Sequence, residues 1–209
     1  MPDINHEGVS LYRRDGVIVV EGLLDAPMRG QMKQVLAQLI ERARTVRAHD
    51  EVYDLEPTHS EQQPRVRRIK KPHLVHPVFA EFSRSPRLLA VLSALLGPSG
   101  VRLHNSKLNL KAPEVGSPVE WHQDWAFYPH TNDDVLAVGV LLDDATDENG
   151  PLMVLPGSHR WPTYDHHGGD GRFCGAMDPR RDGLDFSQAR PLLAPAGSCS
   201  FHHVRAVHG

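Results

Sequence analysis

The sequence has few cysteines and no long apolar run, and both shortages exclude whole classes of protein. Two cysteines in 209 residues, Cys174 and Cys199, cannot build a disulfide framework, and their spacing matches no zinc motif. The longest apolar runs, such as residues 137–142, are too short to span a bilayer. The first residues also lack the basic-then-apolar pattern of a secretory signal. We therefore expect a cytoplasmic protein without a membrane segment.

A strong excess of charge of either sign is also absent. The chain carries 23 Lys and Arg against 26 Asp and Glu, for a formal net charge of -3 at pH 7. This balance indicates neither a nucleic acid nor an anionic membrane as partner, and it leaves the oligomeric state open. With 40% hydrophobic and 23% charged residues, the composition is typical of one globular domain, here residues 1–209.

The sequence pattern changes near residue 100, from helical spacing to short strands. Apolar residues recur at helical spacing from Met28 to about Val46, behind the capping residue Asp25. Two more helices are predicted, at residues 77–84 and 86–96. Strands are predicted at residues 17–20, 101–110, 135–142, 151–155 and 198–207.

This order of elements indicates an α+β, mainly β fold with one helical layer. Residues 101–209 are expected to form a jelly-roll or sandwich core, and residues 1–100 a mainly helical layer that buttresses it. Two long polar segments, residues 47–64 and 160–190, interrupt the pattern. The first is long for a connection in a compact domain, so we expect a lid or a binding loop there, and the second reads as an insertion.

A short basic segment follows the first of these loops. Residues 65–71 alternate basic and apolar side chains before Pro72 breaks the pattern. One interpretation is a solvated edge strand. The other is a basic wall that attracts an acidic substrate, with Arg67, Arg68 and Lys70 as the contacts. The sequence alone does not decide between them.

Histidine is abundant, with 14 residues, and its placement matters more than its number. In His122-Gln123-Asp124 an imidazole and a carboxylate are two positions apart, so on a β-strand both would point to one face. They would supply two members of the 2-His-1-carboxylate triad that holds iron(II) and leaves open coordination positions. A third ligand must come from elsewhere. Spacing does not choose among the candidates, which are His159, His166, His167, His202, His203 and His208.

Aromatic residues surround this motif. Trp121 and Trp125 flank it, and Phe127 and Tyr128 follow. One interpretation is an apolar wall around a reactive centre, with Trp125 in contact with the substrate. The other is plain packing in the core.

Several motifs occur together in an order that resembles one known family. They are Trp121-His122-Gln123-Asp124, Asp143-Asp144, Asn149-Gly150-Pro151-Leu152, Leu155-Pro156-Gly157-Ser158-His159 and the closing Val207-His208-Gly209. From about Leu11 to Gly209, the chain resembles the phytanoyl-CoA dioxygenase family of non-haem iron(II), 2-oxoglutarate-dependent oxygenases. The combination is far more specific than any one of its elements.

The resemblance implies a double-stranded β-helix, a fold of the jelly-roll type, and a set of iron ligands. His122 and Asp124 match the first two ligands and His208 matches the distal histidine, whereas His159 matches a turn motif. The implied enzyme hydroxylates a small organic substrate, with 2-oxoglutarate and dioxygen at the remaining iron positions. Related halogenases replace the carboxylate with a small residue, so an intact Asp124 favours hydroxylation.

Three further residues are candidates to hydrogen-bond the co-substrate or the ligands. They are Gln123 within the motif, and Lys107 and Asn109 on the preceding predicted strand. Their side chains carry the amide and ammonium donors that a carboxylate accepts.

The chain departs from the family at its end. The family has an arginine about ten residues beyond the distal histidine, which grips the far carboxylate of 2-oxoglutarate, whereas this chain stops at Gly209. Three explanations remain: a fragment that lacks its last strands, another cation in place of the arginine, or a protein that does not use 2-oxoglutarate. We expect a fragment, because a ligand next to the terminus would otherwise lie on a frayed end and bind iron poorly.

Two other functions stay open at this point. The chain could be a catalytically inactive jelly-roll protein that binds a ligand or a partner. It could also be a metal enzyme of the cupin type that does not need 2-oxoglutarate. Succinate release with iron(II) and 2-oxoglutarate separates the first alternative from an oxygenase, and dependence of activity on that acid separates the second.

Overall fold

The α-helices of the described residues lie in the first half of the chain. The computed structural model describes residues 4–112, 116–128, 130–178 and 180–209. The α-helices within these residues are α1 (His6–Asp15), α2 (Ala26–Arg42), α3 (Pro72–Val75), α4 (Pro77–Ser83) and α5 (Pro86–Leu96). None of the described helices combines the length and the apolar character needed to cross a membrane.

Side-chain caps fix where the longer helices begin. The carboxylate of Asp25 accepts a hydrogen bond of 2.8 Å from the backbone N–H of Met28, at the start of α2. Ser85 Oγ accepts one of 3.3 Å from Leu88 in the same way at the start of α5. The observed bounds of α4 and α5 lie within one residue of the predicted ones, whereas α2 is shorter than predicted and a 3-10 helix, Ala43–Thr45, follows it.

The strands form antiparallel sheets. They are β1 (Val17–Val20), β2 (Tyr53–Leu55), β3 (Val66–Lys70), β4 (Lys107–Asn109), β5 (Leu136–Val140), β6 (Met153–Val154), β7 (Arg190–Pro191) and β8 (Cys199–His203). One three-stranded sheet has the order β1-β8-β5, a second has the order β2-β3-β4, and β6 pairs with β7. All of these pairings are antiparallel. The protein therefore combines helices with antiparallel sheets, which agrees with the predicted α+β class.

The two halves of the sequence are interleaved in these sheets. β1, from the N-terminal region, pairs with β8 near the other end of the chain. β3 likewise pairs with β4, which lies beyond residue 100. The predicted division near residue 100 is therefore a change in sequence pattern and does not separate two structural units.

The basic strand β3 is central in its sheet. It lies between β2 and β4, which corrects the interpretation of residues 65–71 as an edge strand. Residues opposite one another in antiparallel strands point to the same face. The polar residues of one face are Asp54, Arg68, Lys70, Lys107 and Asn109, in the pairs Asp54–Arg68, Arg68–Asn109 and Lys70–Lys107. We call this surface the basic face.

The main core joins the helices to both three-stranded sheets. Its buried members include Leu39 of α2, Val91 of α5, Ile69 of β3 and Phe201 of β8. The last three are fully buried, which means that the opposite side of the basic sheet packs inward. One apolar cluster therefore fixes the two sheets relative to the helical layer.

A second cluster packs part of the 160–190 segment against the end of the chain. Its buried members are Leu155, Met177 and Val207, and Trp121 and Phe186 are among the residues that pack against them. The rings of Trp121 and Phe186 lie 4.4 Å apart at their centroids. The segment predicted as an insertion is thus part of the scaffold beside the His122-Gln123-Asp124 motif.

The last residues of the chain are held on both sides. Backbone hydrogen bonds join His208 to His122 at 2.8 and 3.0 Å, and Gly209 to Met153 at 2.9 and 3.0 Å. His208 is only 3% exposed. The expectation that a histidine beside Gly209 would lie on a frayed end is therefore wrong.

Candidate metal centre

Three side chains from distant parts of the sequence converge on one point. His122 Nε2 lies 3.7 Å from Asp124 Oδ1, and His208 Nε2 lies 3.9 Å from Asp124 Oδ2. One ligand atom from each residue lies within 4.8 Å of the other two, a spacing that can hold a metal ion. All three residues are buried. Sequence spacing left six histidines open as third ligand, and the geometry favours His208.

The backbone brings His122 and His208 together directly. Their rings lie 4.1 Å apart at the centroids, because their peptide groups form an isolated antiparallel bridge. Asp124 does not continue as a strand and instead begins a 3-10 helix, Asp124–Ala126. The prediction that His122-Gln123-Asp124 forms a strand is therefore wrong beyond its first residue. A turn into a 3-10 helix, and not a strand pleat, brings the carboxylate to the imidazole.

Backbone carbonyl groups fix the orientation of both imidazoles. His122 Nδ1 lies 2.7 Å from the carbonyl oxygen of Glu120, and His208 Nδ1 lies 2.9 Å from that of Ala206. Because a carbonyl oxygen can only accept, each Nδ1 carries the proton and donates it. Each Nε2 then keeps its lone pair for a metal, the arrangement that metal-binding histidines usually show.

The electrostatics favour the ligand form of all three groups. Burial lowers the pKa of His122, although the charge of Asp124 opposes this effect. Burial, with the neighbouring imidazoles of His202 and His122, lowers the pKa of His208 well below its usual value. Burial alone would raise the pKa of Asp124, but the neighbouring imidazoles and Lys107 outweigh it and lower that pKa. At neutral pH the site therefore holds two neutral imidazoles and an ionised carboxylate.

Gln123, a candidate to hydrogen-bond the co-substrate or the ligands, bonds to the loops around the site. Its amide nitrogen donates to the backbone oxygens of Pro162 and Arg205 at 3.1 and 2.9 Å. Its amide oxygen accepts a hydrogen bond of 2.9 Å from the N–H of Tyr164. Both amide protons are used within the chain, so Gln123 has no donor left for a co-substrate.

His166 connects the 160–190 segment to the same motif. Its Nδ1 lies 2.9 Å from the carbonyl oxygen of Tyr164 and must donate. Its Nε2 accepts a hydrogen bond of 2.9 Å from the backbone N–H of Gln123. Both ring nitrogens are therefore engaged within the chain, which argues against His166 as a metal ligand.

Lys107, on the basic face, acts electrostatically on the candidate metal centre. Its positive charge, together with the neighbouring imidazoles, lowers the pKa of Asp124 against the opposite effect of burial. The other cations of this face have acidic or amide partners: Asp54 pairs with Arg68 and Lys70 at 3.7 and 3.2 Å, and Arg68 donates to Asn109 at 3.1 Å. No acidic side chain of the described residues forms an ion pair with Lys107.

Two aromatic residues beside the His122-Gln123-Asp124 motif, Trp125 and Phe127, contact different groups. The guanidinium of Arg205 lies over the ring of Trp125, 5.8 Å from its centroid, so this indole has a partner within the chain. Phe127 packs edge-on against His122 at a centroid distance of 5.8 Å and is 41% exposed. Phe173, from the 160–190 segment, packs against Phe127 at 5.1 Å. Phe127 therefore borders the metal centre, and the predicted substrate contact of Trp125 stays a prediction.

Two neighbours of the site carry roles that the sequence did not reveal. His202, considered only as an alternative ligand, has its Nε2 3.5 Å from Asp124 Oδ2. Ser158, in the Pro156-Gly157-Ser158-His159 turn motif, accepts a hydrogen bond of 2.8 Å from the N–H of Val207 and donates one of 2.6 Å to the carbonyl oxygen of Leu155. The turn motif is a usable signal for the chain reversal, but not for this hydrogen bond to Val207, about fifty residues away.

The chain is similar to a known protein family and to several curated proteins. The model of the phytanoyl-CoA dioxygenase family matches residues 12–209. A probable alpha-ketoglutarate-dependent hypophosphite dioxygenase from Stutzerimonas stutzeri is 38% identical over 201 residues, which cover 95% of this chain and 70% of the relative. An ectoine dioxygenase from Bordetella bronchiseptica is 33% identical over 162 residues, which cover 75% of this chain and 50% of the relative. The chain spans about half the length of such ectoine dioxygenases.

Solved structures show the same similarity in three dimensions. EctD from S. alaskensis with bound Fe gives a TM-score of 0.82 at 26% sequence identity, covering 100% of this chain and 71% of that one. EctD with 2-oxoglutarate and 5-hydroxyectoine gives a TM-score of 0.78, also at 26% identity, covering 99% of this chain and 70% of that one.

Two buried histidines with one carboxylate are the ligand set of the facial triad found in non-haem iron(II) oxygenases. Within that class the chain belongs to the phytanoyl-CoA dioxygenase family. The family predicted from the motifs is therefore confirmed, and with it the assignment to iron- and 2-oxoglutarate-dependent dioxygenases.

Proposed function

We propose that this protein binds iron(II) through His122, Asp124 and His208 and uses 2-oxoglutarate and dioxygen to oxidise a small molecule. The observation that carries the proposal is the convergence of the three ligand atoms within 4.8 Å of one another. The donor set also fits the metal, because two imidazoles and one carboxylate are the ligands of the facial triad. We further infer that the sheets belong to a double-stranded β-helix within one domain, residues 1–209.

The chain's own residues prepare the site for the ion. The carbonyl groups of Glu120 and Ala206 hold both imidazoles in the tautomer that offers Nε2. Iron(II) bound there with 2-oxoglutarate and dioxygen would supply the oxidising chemistry, in which 2-oxoglutarate becomes succinate and carbon dioxide and the substrate is hydroxylated. Phe127 and the 160–190 segment limit the access of water on one side of the site.

The basic face is the proposed binding region for carboxylate groups. The positive charge of Lys107 acts on Asp124, and Lys107 has no ion-pair partner among the described residues, so its ammonium is available to an anion. We assign Lys107 to the co-substrate carboxylate, with Asn109 beside it.

The same face favours a small anionic or zwitterionic substrate. Arg68 and Lys70 share a single acidic partner, Asp54, so the surface keeps an excess of positive charge next to Lys107. The relatives act, by their names, on hypophosphite, ectoine and L-proline, all of which are small and charged. We therefore propose this chemical class and not a particular substrate.

The test is a turnover assay with a defined substrate panel. Protein loaded with iron(II) would be given 2-oxoglutarate, dioxygen and, separately, hypophosphite, ectoine or L-proline, and succinate and oxidised product would be measured together. We expect substrate-dependent succinate release in wild type, its loss in Asp124→Ala, and a raised KM for 2-oxoglutarate in Lys107→Met.

Two results would contradict the proposal. Iron-loaded protein that forms no succinate with any substrate or alone would favour the inactive binding protein. Substrate oxidation that continues without 2-oxoglutarate would favour a metal enzyme of the cupin type. Arg44→Met, which removes a cation that pairs with Glu41 in its own region of the chain, serves as the matched control for Lys107→Met.

A further inference from the structure

His202 is a buried histidine whose ring nitrogens have no hydrogen-bond partner among the described residues. It lies on β8, the central strand of its sheet, where it is opposite Val17 on one side and Ala137 on the other. Only 5% of the residue is exposed. A buried imidazole carries at least one N–H, and such a donor is seldom left unpaired in a native protein. We therefore expect the ring of His202 to gain a hydrogen-bond partner when an ion occupies the candidate metal centre.

The ring of His202 faces the carboxylate of Asp124 from the side of His208. Its Nε2 lies 3.5 Å from Asp124 Oδ2, slightly beyond a normal hydrogen bond, and its ring lies 4.2 Å from that of His208 at the centroids. The other carboxylate oxygen, Oδ1, faces His122 at 3.7 Å. Oδ1 of Asp124 is therefore nearest to His122, whereas Oδ2 lies near both His202 and His208.

We propose that His202 is a positioning residue, whose Nε2–H donates to Oδ2 of Asp124 and turns Oδ1 toward the ion shared with His122 and His208. The proposal rests on the proposed function in so far as an ion occupies the triad. A carboxylate that ligates through one oxygen needs a donor for the other, and such outer hydrogen bonds orient metal ligands. His202 is not one of the three residues whose ligand atoms all lie within 4.8 Å of one another, so it is not assigned as a fourth ligand.

Stability and metal affinity should respond to His202 in opposite directions. Without an ion, His202→Phe replaces a buried, unpaired imidazole by an apolar ring of similar size, so the metal-free protein should unfold at the same or a higher temperature. With an ion, the same change removes the donor to Asp124, and metal affinity should fall by about ten- to a hundred-fold. A residue with a merely structural role would move both quantities the same way.

The experiment uses metal-free protein titrated with Co(II), whose visible spectrum reports its ligands. His202→Gln restores an N–H donor at the end of the side chain and should recover most of the affinity that His202→Phe loses, with a Co(II) spectrum like that of wild type. His203→Phe is the control, because His203 is the next residue of β8 and packs against His159. This control should bind Co(II) as wild type does.

Each possible result of the titration either supports or overturns the proposed role of His202. Equal Co(II) affinity of His202→Phe and wild type would overturn the role of His202 while leaving the proposed function intact. A spectrum of His202→Gln that shows one ligand fewer than wild type would identify His202 as a ligand and also overturn it. Wild-type protein that binds no Co(II) or iron(II) would remove the proposed function itself, a result that the variants cannot imitate.

Discussion

A histidine can bind a metal through either ring nitrogen, and the chain removes this choice at His122 and His208. In both cases the carbonyl group two residues earlier, that of Glu120 or Ala206, accepts the Nδ1 proton. The ring orientation is therefore set by the local backbone before an ion binds. The motifs identified the two histidines, but the tautomer depends on backbone angles that no sequence pattern encodes.

The buried imidazoles of His122 and His208 should make the stability of the metal-free protein depend on pH. Burial lowers the pKa of His122 and His208, so below an unfolded-state pKa of about 6.5 the unfolded chain binds more protons than the folded one. The free energy of unfolding should therefore fall as the pH is lowered from 7.5 to 5. Asp124 does not contribute in this window, because its pKa is lowered from a value near 3.8 and its stabilisation is lost only at lower pH. Urea unfolding at several pH values measures the effect.

The variant His208→Asn isolates one imidazole in this measurement. Because asparagine does not titrate, the variant should lose less stability between pH 7.5 and 5 than wild type does. His159 and His203 also have pKa values lowered by burial, so part of the acid dependence should remain. An identical pH dependence in wild type and variant would show that His208 is not a buried neutral group.

At the level of elements, the sequence predicts the starts of helices well, but it does not predict which distant strands pair. The caps at Asp25 and Ser85 act on neighbouring residues, so the starts of α2 and α5 could be predicted closely. The sequence does not predict α1, since most of its residues are polar and its buried residues are only Gly8 and Tyr12. β2 was hidden in the polar 47–64 loop, because its pairing with β3 is what makes it a strand.

Ser158 binds the backbone of the residue that precedes His208. Removing its hydroxyl group should therefore lower the stability of the protein. In Ser158→Ala the buried N–H of Val207 loses its partner, which should lower the free energy of unfolding by about 1–3 kcal/mol. Metal affinity should fall as well, since Val207 precedes His208. Chemical denaturation and Co(II) titration measure the two effects.

The matched control is Ser10→Ala, whose hydroxyl donates to the carbonyl oxygen of His6 on the exposed surface of α1. Water replaces this bond, so the change should stay within about 0.5 kcal/mol. Equal losses in the two variants would contradict the role given to Ser158.

On the scale of the whole molecule, β8 unites the N-terminal and C-terminal parts of the chain. It lies between β1 and β5 and carries His202 next to the candidate metal centre. Because β1 and β8 are about 180 residues apart in sequence, their pairing could not be read from any local pattern. The order of elements predicts the fold class, the spacing of His122 and Asp124 predicts two candidate ligands, and the family resemblance adds His208, whereas the basic face and the proposed role of His202 depend on the paired strands.

Cysteine labelling tests whether β8 is as inaccessible as this arrangement requires. Cys199 lies on β8 with no exposed surface, and burial raises the pKa of its thiol to about 12, whereas Cys174 is exposed. A thiol reagent should modify Cys174 quickly in the folded protein and Cys199 only after unfolding. Mass spectrometry of wild type and Cys174→Ser during denaturation measures the two rates. Fast modification of Cys199 in native Cys174→Ser would contradict the central position of β8.

Metal binding by the metal-free protein tests the central claim most directly. Anaerobic titration with iron(II) should give one ion per chain in wild type. His122→Ala, Asp124→Ala and His208→Ala should each lose more affinity than the roughly hundred-fold that an outer hydrogen bond can contribute. His203→Ala, beside the site but outside the triad, should bind as wild type does. Iron affinity that is unchanged in Asp124→Ala or His208→Ala would contradict the account.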